Sequence, residues 1–109
     1  MRYKAIYYTT GRGENPVAEF VDGLDPLTQA KFFAYVGLLE EYGPNLKRPY
    51  ADVVRGKIRE LRPRQARVFY FFAVGERIVF VHGVVKKRDA LDSGAIDMAQ
   101  ARMLDWLKR

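Results

Sequence analysis

Between positions 55 and 88 the chain sets ten lysines and arginines against two carboxylates, whereas residues 1–54 carry six against seven and residues 89–109 three against four. The net charge of +6 therefore resides in the middle third. Within it, KIRELRPRQARVFYFF (57–72) places Lys57, Arg59, Arg62, Arg64 and Arg67 beside an apolar run, and VVKKRD (84–89) adds Lys86, Lys87 and Arg88. A guanidinium binds two phosphate oxygens through a planar fork and stays charged, so a cluster of this kind is chemistry for a polyanion. Cations crowded together also repel one another unless an anion occupies their centre, which points to a phosphate site.

Other chemistries lack their residues. There is no cysteine, His82 is the single histidine, and the carboxylates are not gathered at ligand spacing, so thiolate sites and the common metal sites are excluded and no cofactor is expected. GRGENP (11–16) has two glycines but none of the remaining positions of a nucleotide-binding fingerprint. Phosphate chemistry by cations alone remains. Cleavage of RNA can proceed that way, because the substrate's own 2′-hydroxyl is the nucleophile and the protein need only orient it, neutralise charge developing on phosphorus and manage two protons. The base would come from Lys57, Lys86, Lys87, Glu60, His82 or Tyr70. Of these, His82 in mid-strand reads first as a core or edge histidine, Glu60 as the partner that orients Arg62 or a neighbouring arginine, and Tyr70 as core.

The elements that must position these groups follow from periodicity. YKAIYY (3–8) has strand residues. Asn15 and Pro16 open a helix with Val17, Phe20, Val21 and Leu24 on one face; Asp25 and Pro26 open a second with the stripe Phe32, Tyr35, Val36, Leu39 and Tyr42, ending at Gly43-Pro44. KIRELR, RVFYFFAV and RIVFVHGVV then read as three consecutive antiparallel strands, the last two joined through a two-residue turn at Gly75-Glu76. Their continuous apolar runs predict strands covered on both faces. A final helix, capped by Asp92 or Ser93, carries Ile96, Ala99, Met103, Trp106 and Leu107 on one face. The expected fold is α+β: a small twisted, mainly antiparallel sheet of an N-terminal strand plus a three-strand meander, with an N-terminal helical hairpin and a C-terminal helix, all in one domain over 1–109.

In such a meander the exits of the first and third strands come level with the start of the second. Arg62, Arg67, Lys86 and Lys87 then converge at one sheet end, and Arg67, opening its strand, should project beyond that end at little cost to stability if removed. The start of the chain lacks the apolar stretch of a secretory signal, and no run approaches the roughly 20 residues of a membrane span, so a cytoplasmic protein without membrane contact is expected.

GENPVAEFVDGL, KIRELR, RVFYFF and HGVVKK, in this order and spacing, resemble the phage-derived HigB-type branch of the RelE/ParE toxin superfamily, from about Gly13 to the C-terminal helix. The resemblance implies the toxin of a type II toxin–antitoxin system, a ribosome-dependent endoribonuclease that cuts mRNA by 2′-hydroxyl attack without metal. A cognate antitoxin, commonly of helix-turn-helix type, would hold it inactive. It further implies that Arg62, Arg67 and Lys87 are catalytic and that Lys57, Arg59, Arg64, Lys86 and Arg88 bind substrate. Glu60 stands where the RelE type has a lysine, and residues 93–109 contain no tyrosine or histidine. Within the same superfamily the alternatives are a ParE-like toxin that inhibits DNA gyrase without catalysis, and a degenerate relative that only binds its partner.

Overall fold

The computed structural model describes residues 2–87 and 93–109, which leaves Arg88 and the candidate cap Asp92 outside the described residues. The chain runs β1 (Lys4–Tyr7), α1 (Pro16–Asp22), α2 (Pro26–Tyr42), a 3₁₀ turn (Gly43–Asn45), β2 (Ala51–Arg55), β3 (Ile58–Leu61), β4 (Ala66–Ala73), β5 (Arg77–Val85) and α3 (Ser93–Leu107). One sheet has the order β1-β5-β4-β3-β2, with β1 parallel to β5 and every other pair antiparallel. The α+β class, the helical hairpin and the β3–β5 meander are as the sequence predicts. β2 is an additional edge strand, and the tight turn Gly56-Lys57, with Gly56 at φ +54°, joins it to β3. Lys57 therefore lies in a turn rather than on a strand.

Both hairpin helices start where their caps dictate. The Asn15 side chain accepts from the Ala18 amide (3.1 Å), and Asp25 accepts from the Thr28 amide (3.1 Å) and hydroxyl (2.7 Å), each followed by proline at the first helical position. The two helices cover one face of the sheet, burying Val17, Val21, Phe32, Val36 and Leu39 against Leu61, Val68, Tyr70, Ile78 and Phe80. Tyr42, at the end of the predicted stripe, is instead exposed, because it falls on the last helical residue.

α3 lies across the other face from edge to edge. Near its start Asp97 pairs with Arg55 of β2 (2.6 Å), and near its end Asp105 accepts from the hydroxyl of Tyr8, just past β1 (2.7 Å). Between them Ala95, Ala99 and Met103 pack on Ile58, Phe69, Phe71, Val79 and Val81. β4 and β5 are thus apolar on both sides because both sides are covered. The β4–β5 turn is one residue longer than expected: Ala73 pairs with Arg77 around Val74-Gly75-Glu76, and the tip throws Val74 into solvent.

One irregularity sets the faces at the functional end. Phe69 pairs with His82 and Tyr70 with Phe80, so Val81 is an extra residue in β5. Such a bulge breaks strict alternation. Both Val81 and His82 lie on the α3 side, and Arg102 of α3 donates to the Val81 carbonyl (2.9 Å). Gly83, next along, lies on the hairpin side, where a Cβ would press into the ring of Phe20. Gly83→Ala should therefore lower stability by about 1–3 kcal/mol through overpacking, read as a fall in the urea midpoint, whereas Gly37→Ala, in open space on α2, should stabilise or leave it unchanged.

Candidate functional site

Leu61 pairs with Val68 and Ala66 with Val85, and the Lys86 amide donates to the Gln65 carbonyl (2.7 Å). The end of β3, the start of β4 and the end of β5 consequently share one rim of the sheet, as the meander requires. Arg62, Arg67, Lys86 and Lys87 come together there.

The centre of this rim is a buried carboxylate. Glu60 is 3% exposed, faces the α3 side beside Phe69, and is ion-paired through Oε2 with Nη1 of Arg62 and, at 3.9 Å, with Nε of Arg67. This is the arginine-orienting partnership expected of Glu60 from sequence. Glu60 Oε1 and Arg67 Nε are buried without a hydrogen-bond partner.

Arg67 differs from expectation. It does not project past the sheet end: it is 6% exposed, and its Nη1 folds back to donate to the carbonyls of Arg64 and Ala66, both at 2.8 Å. Arg64 has φ +56°, so Arg67 braces a turn whose backbone is left-handed at that point. Burial, chiefly, and then the nearby Arg62 charge push the Arg67 guanidinium below its ordinary pKa, while Glu60 opposes the shift. Nη2, like Nε, makes no hydrogen bond among the described residues. Arg62 keeps part of its fork in solvent, with 17% of its side chain exposed.

The remaining cations divide. Lys57 sits at the opposite end of β3, and Arg59 turns to the hairpin face, where its guanidinium lies 5.4 Å from the ring centre of Phe72. Neither joins Arg62 and Arg67. Arg64 leans toward the start of α2, adding to the Thr28 hydrogen bonds that hold Asp25 below the usual carboxylate range. Lys86 is half-buried and Lys87 exposed at the rim; Arg88 lies outside the described residues.

Three participants were not singled out from sequence. Asp52 of β2 stands directly opposite Glu60, and this unfavourable pair of carboxylates is relieved by Arg48, whose Nε bonds Asp52 at 2.8 Å. That hydrogen bond is the main reason the Asp52 carboxyl sits below its ordinary pKa. Arg102 is the third. It occupies the inward i, i+3 grid from Ala99, which was the available signal, and its Nη1 lies 3.1 Å from Nδ1 of His82, whose ring stacks on Phe69. Burial, then the Arg102 charge, push the His82 pKa down. With Arg102 donating to Nδ1, the neutral ring carries its proton on Nε2, which makes His82 a donor rather than a base. Tyr70 is fully buried and pushed up to about 12, chiefly by desolvation, in keeping with a core role.

A family model described as phage derived protein Gp49-like (DUF891) matches residues 19–104, a span that contains Glu60, Arg62, Arg67, His82, both rim lysines and Arg102. The chain belongs to this family, which is in general terms a RelE-like toxin family; the match singles out no branch within it. No curated protein matches the sequence.

Two measurements check this geometry. Glu60→Ala should cost about 3 kcal/mol in urea unfolding by leaving Arg67 buried and unpaired, and Arg67→Ala should also destabilise clearly, more than Arg62→Ala; an unchanged midpoint for Arg67→Ala would restore a projecting side chain. The second is pH dependence. A histidine whose folded pKa lies below its unfolded value of about 6.5 binds protons more readily when unfolded, so stability falls as pH drops from about 6.5 through the folded pKa. His82→Asn should flatten the stability curve in that window, while losses below about pH 4, where Asp25, Asp52 and Asp105 protonate, persist.

Proposed function

We propose that this Gp49-like protein is the toxin of a type II toxin–antitoxin pair, of the HigB type, and that it cuts mRNA on the ribosome. The reading rests on one observation: Arg62 and Arg67, from two strands, meet at a single rim around one buried carboxylate, with Lys86 and Lys87 beside them. In the proposed reaction the substrate's 2′-oxygen attacks the adjacent phosphorus, its proton passes to a base, and the 5′-oxygen leaves with a proton, giving a 2′,3′-cyclic phosphate and a 5′-hydroxyl end. The exposed part of the Arg62 fork and Nη2 of Arg67 meet the non-bridging oxygens as charge develops on them. Glu60 fixes the two guanidiniums relative to each other. Lys87, exposed at the rim, serves proton transfer or, with Lys86 and Arg64, a flanking phosphate; no metal takes part in this scheme.

Ribosome dependence is part of the proposal. Arg62, Arg67, Lys86 and Lys87 make a small patch at one sheet end, and in the proposed scheme the ribosome supplies the geometry that holds the RNA strand in line for attack. The partner that restrains the toxin would be a cognate antitoxin of helix-turn-helix type, and the compartment the cytoplasm.

On induction, primer extension should find cuts in a translated message and none in an untranslated copy. Arg62→Ala should lower the cutting rate roughly 10²- to 10³-fold, as for loss of one transition-state donor. Equal cutting of both copies would reject ribosome dependence, and intact messages accompanied by gyrase-linked DNA breaks would favour the ParE-like alternative.

A further inference from the structure

At the end of the sheet opposite the cationic rim, a cleft of about 440 Å³ is lined by Ala73, Val74, Arg77, Trp106, Leu107 and Arg109. Val74 at the β4–β5 tip is 88% exposed and Leu107 at the end of α3 is 51% exposed. Neither position needs an apolar side chain for folding. Val74 contributes to the fold through its backbone carbonyl, which accepts from Nε of Arg77 at 2.7 Å. Leu107 belongs by spacing to the buried face of α3 but lies beyond the edge of the core.

The polar lining is cationic. Arg77 stacks on the indole of Trp106 with 5.0 Å to the ring centre, and its Nη atoms make no hydrogen bond among the described residues. Lys4, its partner in β1, adds a second positive charge. The neighbouring carboxylates are already engaged: Glu76 pairs with Arg2 (2.8 Å) and Asp105 with Arg109 (2.9 Å). Two exposed apolar side chains beside a pre-oriented, unpaired guanidinium ask for an occupant with an apolar residue next to a carboxylate. Base stacking by RNA is disfavoured, since Arg77 covers one face of the indole and Phe71 meets it edge to face at 5.8 Å.

We infer that this cleft is a docking site for an acidic, apolar segment of a partner protein, separate from the rim that carries Arg62 and Arg67. An apolar side chain of the partner lies between Val74 and Leu107, and its carboxylate reaches Nη of Arg77. The inference does not depend on the proposed cleavage activity.

The sole tryptophan of the chain, Trp106, lines the cleft and reports on it directly. A short peptide alternating glutamate and leucine, titrated into the purified protein, should shift Trp106 emission saturably, and more weakly as salt is raised. Replacing its glutamates by lysine, or its leucines by serine, should abolish the shift. Val74→Ser, at an exposed tip that folding does not need, and Arg77→Gln should each weaken binding roughly tenfold, with the urea midpoint of Val74→Ser unchanged. No saturable shift, an equal response to the lysine peptide, or a response to oligouridylate in place of the acidic peptide would overturn the proposal. So would emission that changes on diluting the protein alone, which would make the occupant a second copy of this chain.

Discussion

Two arginines approach each other at the end of a sheet only because a carboxylate is buried between them. Like charges brought to one site repel each other, and a buried charge left unpaired costs about 3–5 kcal/mol. Glu60 offsets both terms at once, since its Oε2 faces Arg62 and Arg67 together. The arrangement then propagates. Arg67, held by Glu60, reaches the carbonyls of Arg64 and Ala66 and fixes the turn between β3 and β4; that turn, through Gln65, receives the amide of Lys86 and fixes where β5 leaves the sheet. Arg48 and Asp52 extend the same alternation of sign to the edge strand. The positions of the rim cations are thus consequences of one buried acid rather than of four independent side chains.

The bulge at Val81 is the second determinant, because it decides what shares a face with that acid. Without the extra residue, strict alternation would turn His82 toward the hairpin and Gly83 toward α3. With it, His82 joins Phe69 and Glu60 on the α3 side, while Gly83 clears space for Phe20 on the other. Arg102 satisfies the carbonyl at the bulge and the imidazole beside it. The histidine is thereby kept neutral and protonated on Nε2, so proton abstraction from a 2′-hydroxyl falls to the rim lysines in the proposed reaction.

Much of this was legible in the sequence because it rests on local rules. Asn15-Pro16 and Asp25-Pro26 announced the two helix starts, and the uninterrupted apolar runs of β4 and β5 announced strands covered on both sides. Register along a meander is arithmetic once the turns are known, and so the convergence of Arg62, Arg67 and Lys86 could be expected. β2 was not legible: a five-residue edge strand, half-exposed, with only Val53-Val54 as a strand signal, carries too little periodicity. Missing it put Lys57 on a strand and hid Asp52 opposite Glu60. The burial of Arg67 was hidden for another reason. Whether a side chain at a strand start projects or folds back depends on acceptors supplied by the adjoining turn and on a carboxylate one strand away, neither of which is encoded within its own neighbourhood.

The two ends of the sheet are separated along β4 by the seven residues from Arg67 to Ala73, about 20 Å at the rise of a strand. A partner segment seated between Val74 and Leu107 would leave the arginines open, so occupancy of that cleft alone would not block a phosphate from the rim. To do both, one chain must run the length of the sheet, which takes at least six or seven extended residues at about 3.3 Å each, or present two separate elements. The cationic rim attracts acidic side chains at the far end of such a path. Anchoring and inhibition are then distinct contributions: the first sets how long the partner stays, and the second sets whether the guanidiniums are covered while it does. A linked pair of weak contacts of this kind gains affinity from effective concentration, provided the linker spans the distance.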